Sequence, residues 1–441
     1  MVKTLFKDKK IRLLLTESWS LSWPMAIIMF FEFLIGLSDV YVAGRFGEHI
    51  QAAYGLAFQM YFVFIFVGIA ISVGTVSAVS RIFTSDNKAE FSVAAVSALA
   101  LSCAAGIIFG IAGFSLAGPI ISIFNVPPSV RSAAIALLRI YSLGFLFDYL
   151  LITINAILRS SGMIKKSLLA MMIACLLNVP LNFILAFGTP LGAQGIAWAT
   201  VISLFIGAMI AGYYLRGLIA SWRGISTAII KKIISISWPS GVLQILWQLG
   251  SAALFLILGA LPLHKVEIMA ALTNGLKIES AIFLPAFAFS MANAVIVGNL
   301  LGKKEREDAF KAGIVTALLG VSVVIVITMF VMLNARHIAS FLSPNSIVVD
   351  ECVRYIYIAL LSEPVMAWAV ILGGGLNGAG DTKGVMIIVS MSVWLVRIPC
   401  AYIFGIFTGF GAPAIWWCMN LSIMAHAILI TRRYAARRWA H

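Results

Sequence analysis

The sequence predicts an all-α polytopic membrane protein, with twelve transmembrane helices in two pseudo-symmetric six-helix bundles. Three observations lead there. Of the 441 residues, 62% are hydrophobic and 11% are charged, where a soluble chain carries about 25% charged residues. Apolar runs longer than the roughly 20 residues that cross a bilayer recur along the whole chain. Short patterns of the first half also return in the second at a nearly constant offset.

Twelve spans fit the runs, at 18–44, 51–80, 90–120, 129–158, 165–188, 193–216, 231–262, 265–301, 308–335, 346–376, 383–408 and 412–432. Several are long enough to tilt or to project beyond the hydrocarbon. Lys and Arg set their orientation. With the N-terminus inside, the inner segments hold 23 cations, from Lys3, Lys7 and Arg12 through Arg81, Lys165, Arg223, Lys303 and Lys383 to Arg438. The outer loops hold four, Arg45, Arg131, Lys265 and Arg336. The positive-inside rule then places both termini in the cytoplasm, and the expected location is the cell membrane. The net charge of +14 follows from this asymmetry, so no nucleic-acid partner is expected.

The repeat is carried by particular residues. Leu21-Ser22-Trp23-Pro24 returns as Ile236-Ser237-Trp238-Pro239, an offset of 215. Leu158-Arg159-Ser160-Ser161-Gly162 matches Leu376-Asn377-Gly378-Ala379-Gly380 at 218, and Gly192-Ala193 with Trp198 matches Gly411-Ala412 with Trp417 at 219. Such offsets describe a duplicated six-helix unit. Six is even, so both copies enter the membrane in the same sense and their pseudo-axis runs along its normal. The expected lobes are residues 1–220 and 221–441, joined by the basic segment 216–232. Two similar bundles facing a central cleft suit alternating access better than a channel, whose selectivity comes from rings of repeated residues.

The five cysteines lie in apolar stretches with no CxxC spacing and read as packing residues. No cofactor or resident metal is expected. The basic first 17 residues precede no short apolar core with a cleavage site, so no removed signal peptide is expected.

Acids inside the spans carry the functional signal. The stretch FEFLIGLSDVYVAGRFG at 31–47 places Glu32 and Asp39 in the first span. A carboxylate at bilayer depth costs about 2.5–3.5 kcal/mol on insertion scales, so such residues usually face a cavity. Seven residues apart, the two share a helix face. Pro24, about four turns before Asp39, removes a backbone donor and offers a hinge. The plain alternative for Asp39 is an ion pair that holds the packing. Asp148 in the fourth span has Arg139 as a possible partner, although nine residues apart they are not neighbours on one face. Lys277 and Glu279 in the eighth span point to different sides. Glu279 suits a cavity role, and Arg397 suits a structural one, satisfying carbonyls near Pro399. Asn178 and Asn182, at i and i+4, share a face of the fifth span with Pro180 between them. Either they bind a cation with amide oxygens or they join helices, as amides do in membranes.

SDVYVAGRFG at 38–47, NVPLNFILAFG at 178–188, LGAQGIAWAT at 191–200, GLNGAGDTKG at 375–384 and VRIPCAYIFG at 396–405 resemble the multidrug and toxic compound extrusion (MATE) transporters. The resemblance covers essentially the whole chain. It implies a V-shaped pair of six-helix lobes and export of cationic or amphipathic compounds by exchange for protons or sodium ions. Similarity to the DinF-like branch implies cation machinery in the first lobe, at Asp39, Asn155, Asn178, Asn182 and Thr200. Archaeal members of that branch have a second aspartate where this chain has Asn182. Members of the NorM-like branch carry acids on the seventh and tenth helices. This chain has Gln244, Gln248 and Met366 near those places, with Glu363 one turn before Met366.

These readings combine into an expected site. Asp39, Asn178, Asn182 and Thr200 form the cation-coupling group, Glu32, Asn155, Gln248 and Glu279 line the substrate cavity, and Pro24 is the hinge. With a single carboxylate, the group has little charge to offset dehydration of sodium. Desolvation favours the neutral form of a lone acid, so proton coupling is favoured over sodium coupling. The expected activity is secondary antiport of amphipathic or cationic drugs by a monomer in the lipid bilayer. A flippase or exporter of lipid-linked or other amphipathic metabolites is the alternative, although such proteins usually have extra helices. A polytopic membrane enzyme is a distant one, because the five histidines are scattered and no HExxH or paired-aspartate motif is present. The glycine-rich GLNGAGDTKG and RSSG segments read as tight turns, since no strand precedes them and no GK[ST] follows.

Overall fold

The computed structural model describes residues 9–84, 87–124, 126–221, 224–343 and 345–440. Lys3, Lys7 and Arg223, counted above among the inner cations, lie outside the described residues. Among the described residues, twelve helices are long and apolar enough to cross a membrane. They are α1 (Lys9–Arg45), α2 (Glu48–Phe83), α3 (Lys88–Ser122), α4 (Pro128–Ser160), α5 (Ile164–Phe187) and α6 (Gln194–Leu215). The second half supplies α7 (Thr227–Gly259), α8 (Lys265–Gly302), α9 (Arg306–Leu333), α10 (Ser346–Gly378), α11 (Thr382–Phe407) and α12 (Gly411–Ala435). This is the all-α, twelve-helix multi-pass architecture that the hydropathy predicts.

The ends of the helices follow from local chemistry. Asn87 caps α3 by accepting from the Glu90 backbone N–H at 3.1 Å, and Asn345 caps α10 by accepting from Ile347 at 2.9 Å. After α4, Gly162 takes φ 75°, and after α10, Gly380 takes φ 85°. Both turns close the same way. Met163 N–H donates to the Leu158 carbonyl and Asp381 N–H to that of Leu376, each at 2.8 Å. This Schellman geometry recurs at the 218-residue offset of the sequence repeat, so the duplication is visible in the backbone. Asp381 then pairs bidentately with Arg433 of α12, at 2.6 and 2.7 Å.

Two features were not expected. A short helix, Ala335–Leu342, lies between α9 and α10 and buries Ala335 and Ala339 while Phe341 is 90% exposed. In α11 the backbone widens into π-helical turns at Ser392–Arg397 and Ile403–Phe407, on either side of Pro399. Proline has no N–H to donate, and wider turns re-pair the carbonyls around it.

The chain forms two compact units, Ile27–Gly241, and the described part of Met1–Ala26 together with Val242–His441. They keep α2–α6 together and α8–α12 together. Both α1 and α7 are divided, each two residues past its Trp-Pro pair at Pro24 and Pro239.

In the 27–241 unit, α4 is central, packed on α2, α3 and α6. It buries Leu137, Tyr141, Phe145, Tyr149 and Leu151. Gly106 and Gly110 of α3 let the helix backbones close up, since a Cβ would stand 2.8 Å from the Leu146 Cα and 3.0 Å from the Ser142 carbonyl. In the other unit α8 and α10 meet in the same manner. A Cβ at Gly374 or Gly378 would collide with the carbonyls of Ser290 or Ala294.

Candidate functional site

Asp39 sits two turns beyond Glu32 on α1 and is 1% exposed. Its carboxylate collects donors from three other helices. The Asn182 amide of α5 donates to Oδ1. Tyr54 of α2 and Thr200 of α6 donate to Oδ2, each at 3.4 Å. A second tier ties these together, with Asn178 Nδ2 donating to the Thr200 hydroxyl and Asn182 Nδ2 reaching the Asn178 amide oxygen, both at 3.4 Å. Asn178 and Asn182 are fully buried, and α5 stays helical through Pro180 between them. The structure thus brings together all four residues expected from sequence, Asp39, Asn178, Asn182 and Thr200.

The geometry has a chemical consequence. Every contact to Asp39 comes from a donor, which suits a charged carboxylate. Asn182 Oδ1, buried on the same side chain, has no hydrogen-bond partner. A protonated Asp39 becomes a donor, and a half-turn of the Asn182 amide brings an acceptor to meet it. The 3.4 Å spacings are long against the usual 2.9–3.0 Å, so the ring is loosely closed.

Glu32 is exposed, unlike Asp39. Its carboxylate lies in the fields of Asp148 and Arg159, both on α4 and both 6% exposed. Asp148 accepts from the Tyr61 hydroxyl of α2 and not from Arg139, whose guanidinium instead covers the Phe114 ring at 5.5 Å. Asn155 is 4% exposed and accepts from Ser167 at 2.9 Å, joining α4 to α5. Pro24 is buried within an uninterrupted helix.

Gln248 and Glu279 belong to the other compact unit. There Tyr355 donates to Glu279 at 2.7 Å, and Glu279 interacts electrostatically with Glu363 and Arg397. Arg397 donates to the Ser422 hydroxyl at 2.9 Å and covers the Trp247 ring at 5.3 Å, in place of the carbonyls expected near Pro399. Lys277 is exposed.

Sequence reasoning missed Tyr54, Tyr61 and Tyr141. The signal that finds the first two is their seven-residue spacing on α2, the same as that of Glu32 and Asp39 on α1.

A model of the family described as MatE matches residues 24–184 and again 239–403. The two matches begin at Pro24 and Pro239, the equivalent prolines of the repeat. Among curated relatives, the probable multidrug resistance protein NorM of Thermotoga maritima is 25% identical over 430 residues, covering 92% of this chain and 89% of its own. The multidrug resistance protein PmpM of Pseudomonas aeruginosa is 25% identical over 455 residues, covering 99% and 94%. Among solved structures, an outward-facing multidrug resistance MATE family transporter of the MOP superfamily superimposes with a TM-score of 0.90 at 21% identity, covering 98% of this chain and 99% of that one.

Proposed function

The chain belongs to the MATE family of membrane transporters, and from that premise we propose that it is a secondary antiporter. It exports amphipathic, cationic compounds in exchange for protons, and Asp39 is the acid that couples the two fluxes. The observation that carries this reading is a single carboxylate, 1% exposed, held by Asn182, Tyr54 and Thr200 beside the unpartnered Asn182 Oδ1. One proton on Asp39 changes both its charge and its hydrogen-bond role. A sodium ion would need several oxygens turned inward around it, and here the donors are turned inward instead.

Alternating access follows from α1. The helix passes from one compact unit into the other two residues after Pro24, where the proline removes a backbone donor. Pro24 is the hinge, and the part of α1 beyond it, which carries Asp39, bends against α2–α6 within the 27–241 unit. A proton that alters the Asp39 contacts shifts the equilibrium only by its differential affinity for the two forms of α1. Both termini face the cytoplasm, as the distribution of Lys and Arg supports. Multidrug export is supported by the names of the full-length relatives in Thermotoga maritima and Pseudomonas aeruginosa.

The test is efflux of ethidium from proteoliposomes with a pH gradient and a sodium gradient imposed separately. Efflux driven by the pH gradient alone is expected. Efflux driven only by the sodium gradient would overturn proton coupling.

A further inference from the structure

Tyr54 and Tyr61 lie seven residues apart and so on one face of α2. Each donates its hydroxyl to a buried acid on a different helix, Tyr54 to Asp39 of α1 and Tyr61 to Asp148 of α4. Tyr141 of α4 packs its ring 5.0 Å from that of Tyr61. The Tyr141 hydroxyl is buried without a hydrogen-bond partner, yet lies beside Thr200, which itself donates to Asp39. Tyr141 thus meets the partner of Asp148 through its ring and interacts with Asp39 through its hydroxyl.

The far end of this row is open. Glu32 is exposed, and its carboxylate interacts with Asp148 behind it and with Arg159, whose Nε is buried without a partner. The groups that act on Asp148 are Glu32 from α1, Tyr61 from α2, and Tyr149 on α4 itself. Of the other helices near α4, α6 has no charged residue, and α3 and α5 carry theirs only in their first turns, as Lys88 with Glu90 and Lys165 with Lys166.

We propose that Asp148 is a second proton-carrying carboxylate, loaded through Glu32 and delivering to Asp39 along the Tyr61–Tyr141 pair. The inference rests on Asp39 as the proton-coupled acid. Water in contact with Glu32 protonates it, and the proton passes to Asp148. Protonated Asp148 donates to the Tyr61 oxygen, which frees the Tyr61 hydroxyl to turn toward Tyr141. Tyr61 then takes the Asp148 proton as it gives its own to Tyr141, and Tyr141 gives its own to Asp39. Each tyrosine is neutral before and after, and one proton has moved from Asp148 to Asp39. Arg159 draws the charged Glu32 carboxylate into place between transfers.

The experiment needs no transported substrate. Purified protein in detergent is mixed rapidly with a weakly buffered solution that lowers the pH from about 8 to about 6, a range in which a perturbed acid titrates. Proton uptake is followed with a soluble indicator dye. The phase removed by Asp39→Asn, measured in each background, reports the arrival of a proton at Asp39. Tyr61→Phe is expected to slow that phase by about tenfold or more and to leave its amplitude unchanged. Asp148→Asn is expected to slow it equally and to remove one further proton, while Asp148→Glu restores the rate. If Tyr61→Phe does not fold, Tyr141→Phe tests the same step, because it keeps the ring and removes only the hydroxyl beside Thr200. Arrival at the wild-type rate in these variants would overturn the relay and leave Asp39 as the coupling acid. Equal total uptake by wild type and Asp39→Asn would overturn Asp39 itself, and the relay with it.

Discussion

The Asn182 amide nitrogen donates to the Asp39 carboxylate across 143 residues of chain. It also reaches the Ser38 hydroxyl and the Asn178 amide oxygen, each at 3.4 Å. One neutral side chain therefore connects the first helix to the fifth and presents its nitrogen, not its oxygen, to the acid.

Asn182→Asp is expected to move this site toward sodium. A second carboxylate beside Asp39 replaces an inward donor with oxygens and adds the charge needed to hold a dehydrated cation. The measurement is the thermal midpoint of purified protein with and without sodium chloride, against potassium chloride as control. Sodium-specific stabilisation should appear in the variant only. A wild type already stabilised by sodium, and losing that effect in Asp39→Asn, would contradict proton coupling.

Of the four residues gathered here, Asp39 was legible as a carboxylate in an apolar run, where insertion is costly, and Asn178 with Asn182 as two amides on one helix face, whereas Thr200 was named only by the resemblance. Asp39, Asn178, Asn182 and Thr200 also fall in the segments that resemble MATE transporters. Their tyrosine partners were not legible. A Tyr in a membrane span is ordinarily a packing or interfacial residue, and nothing local says that Tyr61 will meet Asp148, 87 positions away. Arg139 looked like the partner of Asp148 for want of that long-range contact. The twelve spans followed from length and hydropathy. The π-helical turns beside Pro399 did not, since proline marks where a helix is disturbed and leaves the form of the repair to the neighbours.

Close helix contacts set the next expectation. Gly378→Val places atoms where the Ala294 carbonyl now sits, and the obstructing atoms are backbone rather than the end of a flexible side chain. Overpacking of this kind costs about 1–3 kcal/mol or more. Gly378→Val should lose the monodisperse peak in size-exclusion chromatography. Gly212→Ala on α6, where no atom lies within 4 Å of the added Cβ, should keep it. Normal behaviour of both variants would mean that α8 and α10 do not pack through these glycines.

The Arg433–Asp381 pair is bidentate but partly open to solvent, with side chains 44% and 18% exposed. Exposed pairs of this type contribute about 0–1 kcal/mol. Arg433→Ala should lower the thermal midpoint only slightly, and moderate salt should erase part of the difference. A large loss of folded protein would show that the turn after α10 depends on this contact.

Pro24→Ala restores a backbone donor and stiffens α1. The protein should fold normally and transport more slowly. Spin labels at positions 30 and 60, both within the 27–241 unit, should give a distance distribution that changes between low and high pH in wild type and stays fixed in Pro24→Ala. One unchanged distance in wild type, with full activity of the variant, would remove the hinge.

The central claim is that a proton on Asp39 drives export, and the most direct measurement compares wild type, Asp39→Asn and Asp39→Glu in proteoliposomes under an imposed pH gradient. The asparagine keeps the shape of the side chain and removes the titratable group. Wild type should expel ethidium in proportion to the gradient, Asp39→Glu should retain part of that response, and Asp39→Asn should insert normally and show none. Gradient-driven export by Asp39→Asn at the wild-type rate would contradict the account.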